Sequence, residues 1–150
     1  MTVSIQIESP KTPDAEALLR ESHTLMQALF SAEDNHFLSI DELCAENIQL
    51  FVARVDGVAA ASGALKSFKG YGEVKSMFTS REYRGQGLAD AILTKIENAA
   101  RENGLSVLRL ETGDLLHEAH RLYNRHGFVE CGPFGEYSES DASIFLEKKL

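Results

Sequence analysis

Tryptophan is absent, cysteine occurs twice and proline three times in this chain of 150 residues. The two cysteines, Cys44 and Cys131, have no metal-like spacing, which leaves neither a cysteine zinc module nor a disulfide-dense secreted scaffold. A reduced, cytoplasmic setting is therefore the expectation. No apolar run approaches the roughly 18 to 20 residues that a membrane-spanning helix needs. The first residues, Met-Thr-Val-Ser-Ile-Gln-Ile-Glu, alternate polar and apolar and lack the basic stretch of a secretory leader. Basic residues are outnumbered, 15 against 23 acidic ones, and the net charge of −8 argues against broad binding to nucleic-acid phosphates. A cationic or neutral small partner is compatible with it. Repeats, low-complexity tracts and linkers are missing too. With 43% hydrophobic residues, the expectation is one domain over residues 1–150, large enough to bury a core.

What is present is a regular succession of short elements. Val3 to Glu8 reads as a strand with Val3, Ile5 and Ile7 on one face. Thr12-Pro13-Asp14 opens a helix, with Pro13 at the first helical position, that runs to about Phe30. Leu18, Leu19, Leu25, Met26, Leu29 and Phe30 form its apolar stripe. Ser39 and Glu42 have the spacing of a capping box, which predicts a short second helix carrying Ile40, Leu43 and Cys44. Asp56-Gly57, between the runs Ile48–Val55 and Val58–Phe68, is a hairpin signal, because both central residues of the favoured turn need positive φ. Glu73 to Thr79 is a further strand. Gly87 to Asn103 is an amphipathic helix with Leu88, Ile92, Ile96 and Ala99 on one face, closed by Gly104. Leu105 to Glu111 is a strand, and Leu116 to His126 a helix ended by Gly127. Phe128–Cys131 and Ala142–Leu146 are two last strands. This order implies one mixed α/β sheet.

The most informative stretch joins the strand at Glu73 to the loop Arg84-Gly85-Gln86-Gly87-Leu88-Ala89, which opens straight into a helix. Amides at a helix start lack intrahelical acceptors and sit at the positive end of the helix dipole, so glycines there make a site for a pyrophosphate. The P-loop pattern needs Gly-Lys-Ser/Thr, but Gly87-Leu88-Ala89 stands here. The dinucleotide fingerprint needs a third glycine where the chain has Asp90. The loop instead resembles the acyl-CoA motif of the GNAT superfamily, Arg/Gln-x-x-Gly-x-Gly/Ala, with Arg84, Gly87 and Ala89 in its defined positions. The preceding strand, Glu73-Val-Lys-Ser-Met-Phe-Thr79, and the later Ala119-x-x-Leu122-Tyr123-x-x-x-Gly127-Phe128 are also similar to that family, so the likeness spans roughly residues 48 to 150.

The resemblance implies a GNAT-like, mainly antiparallel sheet of about six or seven strands flanked by about four helices, with a splayed strand pair holding acyl-CoA. It implies acetyl-CoA as co-substrate and attack on the thioester by a primary amine, of a small molecule or of a peptide or protein; no metal is expected. Met77, Phe78 and Thr79 would bind the pantetheine arm through their main chain. Arg84, Gly85, Gln86, Gly87, Leu88 and Ala89 would hold the pyrophosphate. Tyr123 would be the general acid and Glu73 the general base, with Glu111 as rival. Plainer readings stand beside these: Tyr123 as a packing residue of its helix, and Glu73 as a strand-end carboxylate paired with Lys75. Relatives often carry an asparagine before the Ala-x-x-Leu-Tyr element. Here Asn124, just after the tyrosine, is the remaining asparagine candidate for a CoA contact. His117 and His120, three apart, have a metal-compatible spacing but no third ligand pattern. The first helices, the Tyr71-Gly72 region and the segment Gly132–Asp141 would shape the acceptor pocket. The alternatives are a non-catalytic acyl-CoA-binding module and an interaction domain, and an exposed apolar element would permit a homodimer.

Overall fold

Asp56 and Gly57 both adopt positive φ, 49° and 85°, and fold β2 (Ile48–Val55) back on β3 (Val58–Ser67). In the computed structural model, which describes residues 1–150, this hairpin is the centre of a seven-stranded sheet of order β1-β2-β3-β4-β5-β7-β6. The remaining strands are β1 (Val3–Ile7), β4 (Gly72–Thr79), β5 (Val107–Gly113), β6 (Val129–Glu130) and β7 (Ser143–Lys149). All neighbours are antiparallel except β4 and β5, which run parallel.

Alternation along β2 assigns the helices to opposite faces. Leu50 and Val52 pack with Ala15 and Leu19 of α1 (Pro13–Leu29), whereas Phe51, Ala53 and Val55 pack with Ile92, Leu93 and Ile96 of α2 (Leu88–Glu102). Those three α2 side chains are wholly buried, each worth about 1.5–3 kcal/mol of transfer from water. Leu122 and Tyr123 of α3 (His117–Arg125) join the α2 side of the core. Asp90, in the first turn of α2, ties α3 to it through Arg125 at 3.1 Å and His126 at 3.0 Å. Burial pushes the Asp90 carboxyl up, but its bonds to His126 and Arg125 outweigh that and hold it below the ordinary carboxylate range.

The structure corrects some expectations. The capping box forms as read: the Ser39 amide donates to Glu42 Oε1 at 2.9 Å and the Glu42 amide to Ser39 Oγ at 3.1 Å. It starts only a single 3₁₀ turn over Glu42–Cys44, however, because Leu43 alone is anchored deep in the core while Cys44 is exposed. The α-helices thus number three. In α1 the stripe is buried only at its first half; Leu25, Met26 and Phe30 are half-buried and Leu29 is exposed, since this end of the helix overhangs a cavity rather than the sheet. On β1, an edge strand, Val3 and Ile7 are exposed and only Ile5 reaches the core.

Candidate active site

Strands β4 and β5 pair only at Gly72↔Leu108 and Glu73↔Arg109, and then separate. From Val74 onward β4 keeps β3 on one side and has no strand on the other. The β3–β4 register also slips between Ser62 and Ala64, across from Ser76 and Met77. Gly63 makes this bulge feasible, since a Cβ there would lie 2.5 Å from Met77 Sδ and 2.6 Å from Ile92 Cγ2. Ser76 has φ 56°, in the left-handed region that a serine rarely occupies, and its Oγ is buried with no hydrogen-bond partner.

The gap between β4 and β5 holds a cavity of about 110 Å³ lined by Ser76, Met77, Glu111 and Tyr123, with Met26 and Phe30 of α1 across from them. Tyr123 is almost wholly buried and packs edge-on against Phe128, with ring centroids 5.6 Å apart. Burial, and then the Glu111 charge, push its phenol well above the ordinary range, so it is protonated at neutral pH. Burial likewise raises the Glu111 carboxyl, although Ser143 Oγ donates to it at 2.6 Å. A group raised in this way is better suited to accept a proton near neutrality than a free glutamate.

Glu73 faces a second, larger cavity of about 600 Å³ that shares His36, Phe37 and Lys75 with the first. Its Oε2 accepts a 2.6 Å hydrogen bond from the Tyr137 hydroxyl and lies 3.3 Å from Lys75 Nζ. Lys75 Nζ also donates to Tyr137 Oη at 2.8 Å and to the His36 carbonyl at 3.0 Å. This knot joins the loops before β2 and β7 to β4. Burial and the Glu73 charge push the Tyr137 phenol upward. Glu73 and Tyr123, expected as base and acid of one site, line different cavities, and it is Glu111 that shares a cavity with Tyr123. Ser76 went unread because no sequence pattern marks a left-handed serine.

At the far end of β4, the backbone amides from Gly85 to Asp90 donate no hydrogen bond within the chain, and the first intrahelical bond there runs from Ala91 to Gly87. Gly85 and Gly87 both have φ 78°, and a Cβ at either would meet nothing within 4 Å, so no other part of the chain packs on that side of the loop. Arg84 Nε donates to the Thr79 carbonyl at 3.2 Å and folds the loop onto the strand. Met77 lines the smaller cavity, Phe78 is buried, Gln86 is exposed and Leu88 sits in the core. Asn124 is exposed on α3 and its side chain bonds nothing. His120 Nε2 lies 2.8 Å from the Gly113 carbonyl, and the His117 and His120 rings meet edge to face.

The sheet thus opens between its two parallel strands, next to a row of unbonded amides at a helix start. The acetyltransferase (GNAT) family model matches residues 13–128. The chain is 40% identical to the IAA acetyltransferase of Azospirillum brasilense, over 99% of this chain and 98% of that one. It is 34% identical to the uncharacterised N-acetyltransferase YsnE of Bacillus subtilis, over 89% and 91%. A Klebsiella pneumoniae structure solved as an acyl-CoA N-acyltransferase superposes with a TM-score of 0.84 at 28% identity, covering 99% and 97%. The PaiA N-acetyltransferase of Thermoplasma acidophilum, solved with coenzyme A, superposes over all of both chains with a TM-score of 0.78 at 17% identity, a likeness of fold. The chain belongs to the GNAT family and is an acetyl-CoA-dependent acetyltransferase.

Proposed function

We propose that the protein transfers the acetyl group of acetyl-CoA to a primary amine by direct attack in a ternary complex. The amides of Gly85 to Asp90 fit a pyrophosphate, whose charge the α2 dipole favours. The unpaired side of β4 beyond Glu73 fits the amide-bearing pantetheine arm, which would add to the sheet as a strand does, through the main chain of Met77, Phe78 and Thr79. The thioester then lies in the smaller cavity. The amine nitrogen attacks the carbonyl carbon, the carbon–sulfur bond breaks, and Tyr123 gives its proton to the departing thiolate. Its raised pKa keeps the proton in place until the thiolate forms.

The proton lost by the amine goes to a carboxylate. Glu111, lifted by burial and beside Tyr123, is the base. Glu73, bonded to Tyr137 and Lys75 through one oxygen, directs the incoming ammonium with the other. One juxtaposition carries this assignment: a tyrosine hydroxyl and a desolvated glutamate on one small cavity inside the strand gap.

Calorimetric titration with acetyl-CoA, against dephospho-CoA and NAD, tests the cofactor site. Free-thiol release on adding amines tests the transfer. Tight binding of acetyl-CoA and amine-dependent thiol release are expected. No heat with acetyl-CoA, or thiol release indifferent to every amine, would overturn the assignment.

A further inference from the structure

The larger cavity carries information about the acceptor, given the transfer reading above on which this inference rests. Its walls are aromatic. Phe68 and Tyr71 stack with centroids 4.8 Å apart, and Phe134 meets Tyr71 and Tyr137 edge to face at 6.0 and 5.1 Å. Such rings are the usual lining of a small-molecule site, and the volume of about 600 Å³ suits one.

On the β3–β4 wall of the cavity one lysine and one glutamate form a zwitterion's mirror image. Lys66 and Glu73 are direct cross-strand partners on β3 and β4, so their side chains leave the sheet side by side. Yet they do not pair with each other. Glu73 is held from the other side by Lys75 and Tyr137, and Lys66 lies over the Phe68 ring, 5.1 Å from its centroid, without a carboxylate partner. Glu42, which also lines the cavity, accepts from the Ser39 amide through Oε1. One free ammonium and one carboxylate with an open oxygen thus stand at adjacent positions, close to the edge shared with the Tyr123 cavity.

The same walls disfavour a polycation, despite the chain's net charge of −8. The chain's own cations already sit over the rings: Lys66 on Phe68, Lys75 on Tyr137 at 5.5 Å and Arg109 on Tyr71 at 4.9 Å.

We propose that the acceptor is an aromatic α-amino acid, with its ammonium at Glu73, its carboxylate at Lys66 and its ring among Phe68, Tyr71 and Phe134. The ammonium is then the end nearest the thioester, and the product is the N-acetyl amino acid with CoA-SH. A bare aromatic amine leaves Lys66 desolvated and unanswered, and an aliphatic amino acid leaves the aromatic walls empty.

The test uses the intact protein with acetyl-CoA and four acceptors: phenylalanine, 2-phenylethylamine, alanine and spermidine. Phenylalanine should give the highest kcat/KM, by about tenfold or more over each of the others. Lys66→Met should raise the KM for phenylalanine about tenfold and erase its advantage over 2-phenylethylamine. Equal or better turnover of alanine or spermidine overturns the proposal, as does a Lys66→Met enzyme that still prefers phenylalanine. If acetyl-CoA binds and another amine is acetylated while phenylalanine is not, the transfer reading survives and this proposal falls. If acetyl-CoA does not bind at all, the transfer reading fails, and titration of the protein with phenylalanine alone still reads the pocket: absence of heat overturns the proposal there too.

Discussion

Replacing Tyr123 by Phe removes one oxygen and its proton while keeping the ring that packs on Phe128. The hydroxyl donates to no group of the chain, so its loss orphans no partner, and the stability of the fold should change by less than about 1 kcal/mol. The chemical effect is of another order. Proton delivery by a positioned acid contributes about 10²–10⁴-fold, which is about 2.7–5.4 kcal/mol of barrier. Burial and the Glu111 charge make this phenol a weaker acid than a free one, which moves the expected loss towards the lower end, about 10²-fold in kcat. Calorimetry should find acetyl-CoA bound as in the wild type, and the melting temperature should be close to it. Thiol release with acetyl-CoA and amine both saturating reads kcat directly. An unchanged kcat would remove Tyr123 from the proton path, and a fall in kcat matched by a large fall in melting temperature would show a packing role instead.

Glu111→Gln should lower acetyl transfer and raise stability together. Burial lifts the Glu111 pKa above its value in the unfolded chain, so its stabilising contribution is complete below the ordinary carboxyl range and lost as pH rises through the folded-state value. The neutral variant should therefore resist urea better than wild type at neutral pH, with the gap closing on acidification; a gap that is constant with pH would contradict this. Gly87→Val places a β-branched residue at φ 78°, a conformation that costs about 1–2 kcal/mol for an L-residue, and it should cut acetyl-CoA affinity severely in calorimetry while the chain stays folded. Retained affinity would sink the pyrophosphate assignment. Gly113→Ala sets a Cβ 2.2 Å from Phe30 Cζ, so the ring over the smaller cavity must move, and a loss of about 1–3 kcal/mol is expected in denaturant unfolding. A neutral result would mean that Phe30 is free to swing aside.

Legibility followed the range of the interaction. The Asp56-Gly57 hairpin and helix α2 were readable because local positive-φ residues set their ends: two in succession at the hairpin, and the single glycines Gly87 and Gly104 around the helix. The capping box at Ser39 and Glu42 was read correctly as a local device, and misjudged in extent, because a helix lengthens only where successive turns find apolar cover, and here Leu43 alone is deeply buried. The apolar stripe of α1 continues to Phe30, yet Met26 and Phe30 line a cavity. Hydrophobic spacing records that a face is apolar and is silent on whether protein or ligand covers it.

By itself the sequence determined the unbonded amides where α2 starts, since a helix start leaves its first amides without intrahelical acceptors and the glycines keep side chains off them. It determined, too, the succession of strands and helices that GNAT proteins share. The tertiary structure alone decided which carboxylate stands beside Tyr123. Glu73 lies at the last paired position of β4 and β5, and Glu111 lies beyond it on β5. As the strands diverge, Glu111 is carried into the gap, while Glu73 is drawn to Tyr137, 64 residues away along the chain. That choice depends on where two strands stop sharing hydrogen bonds, a property of the assembled sheet.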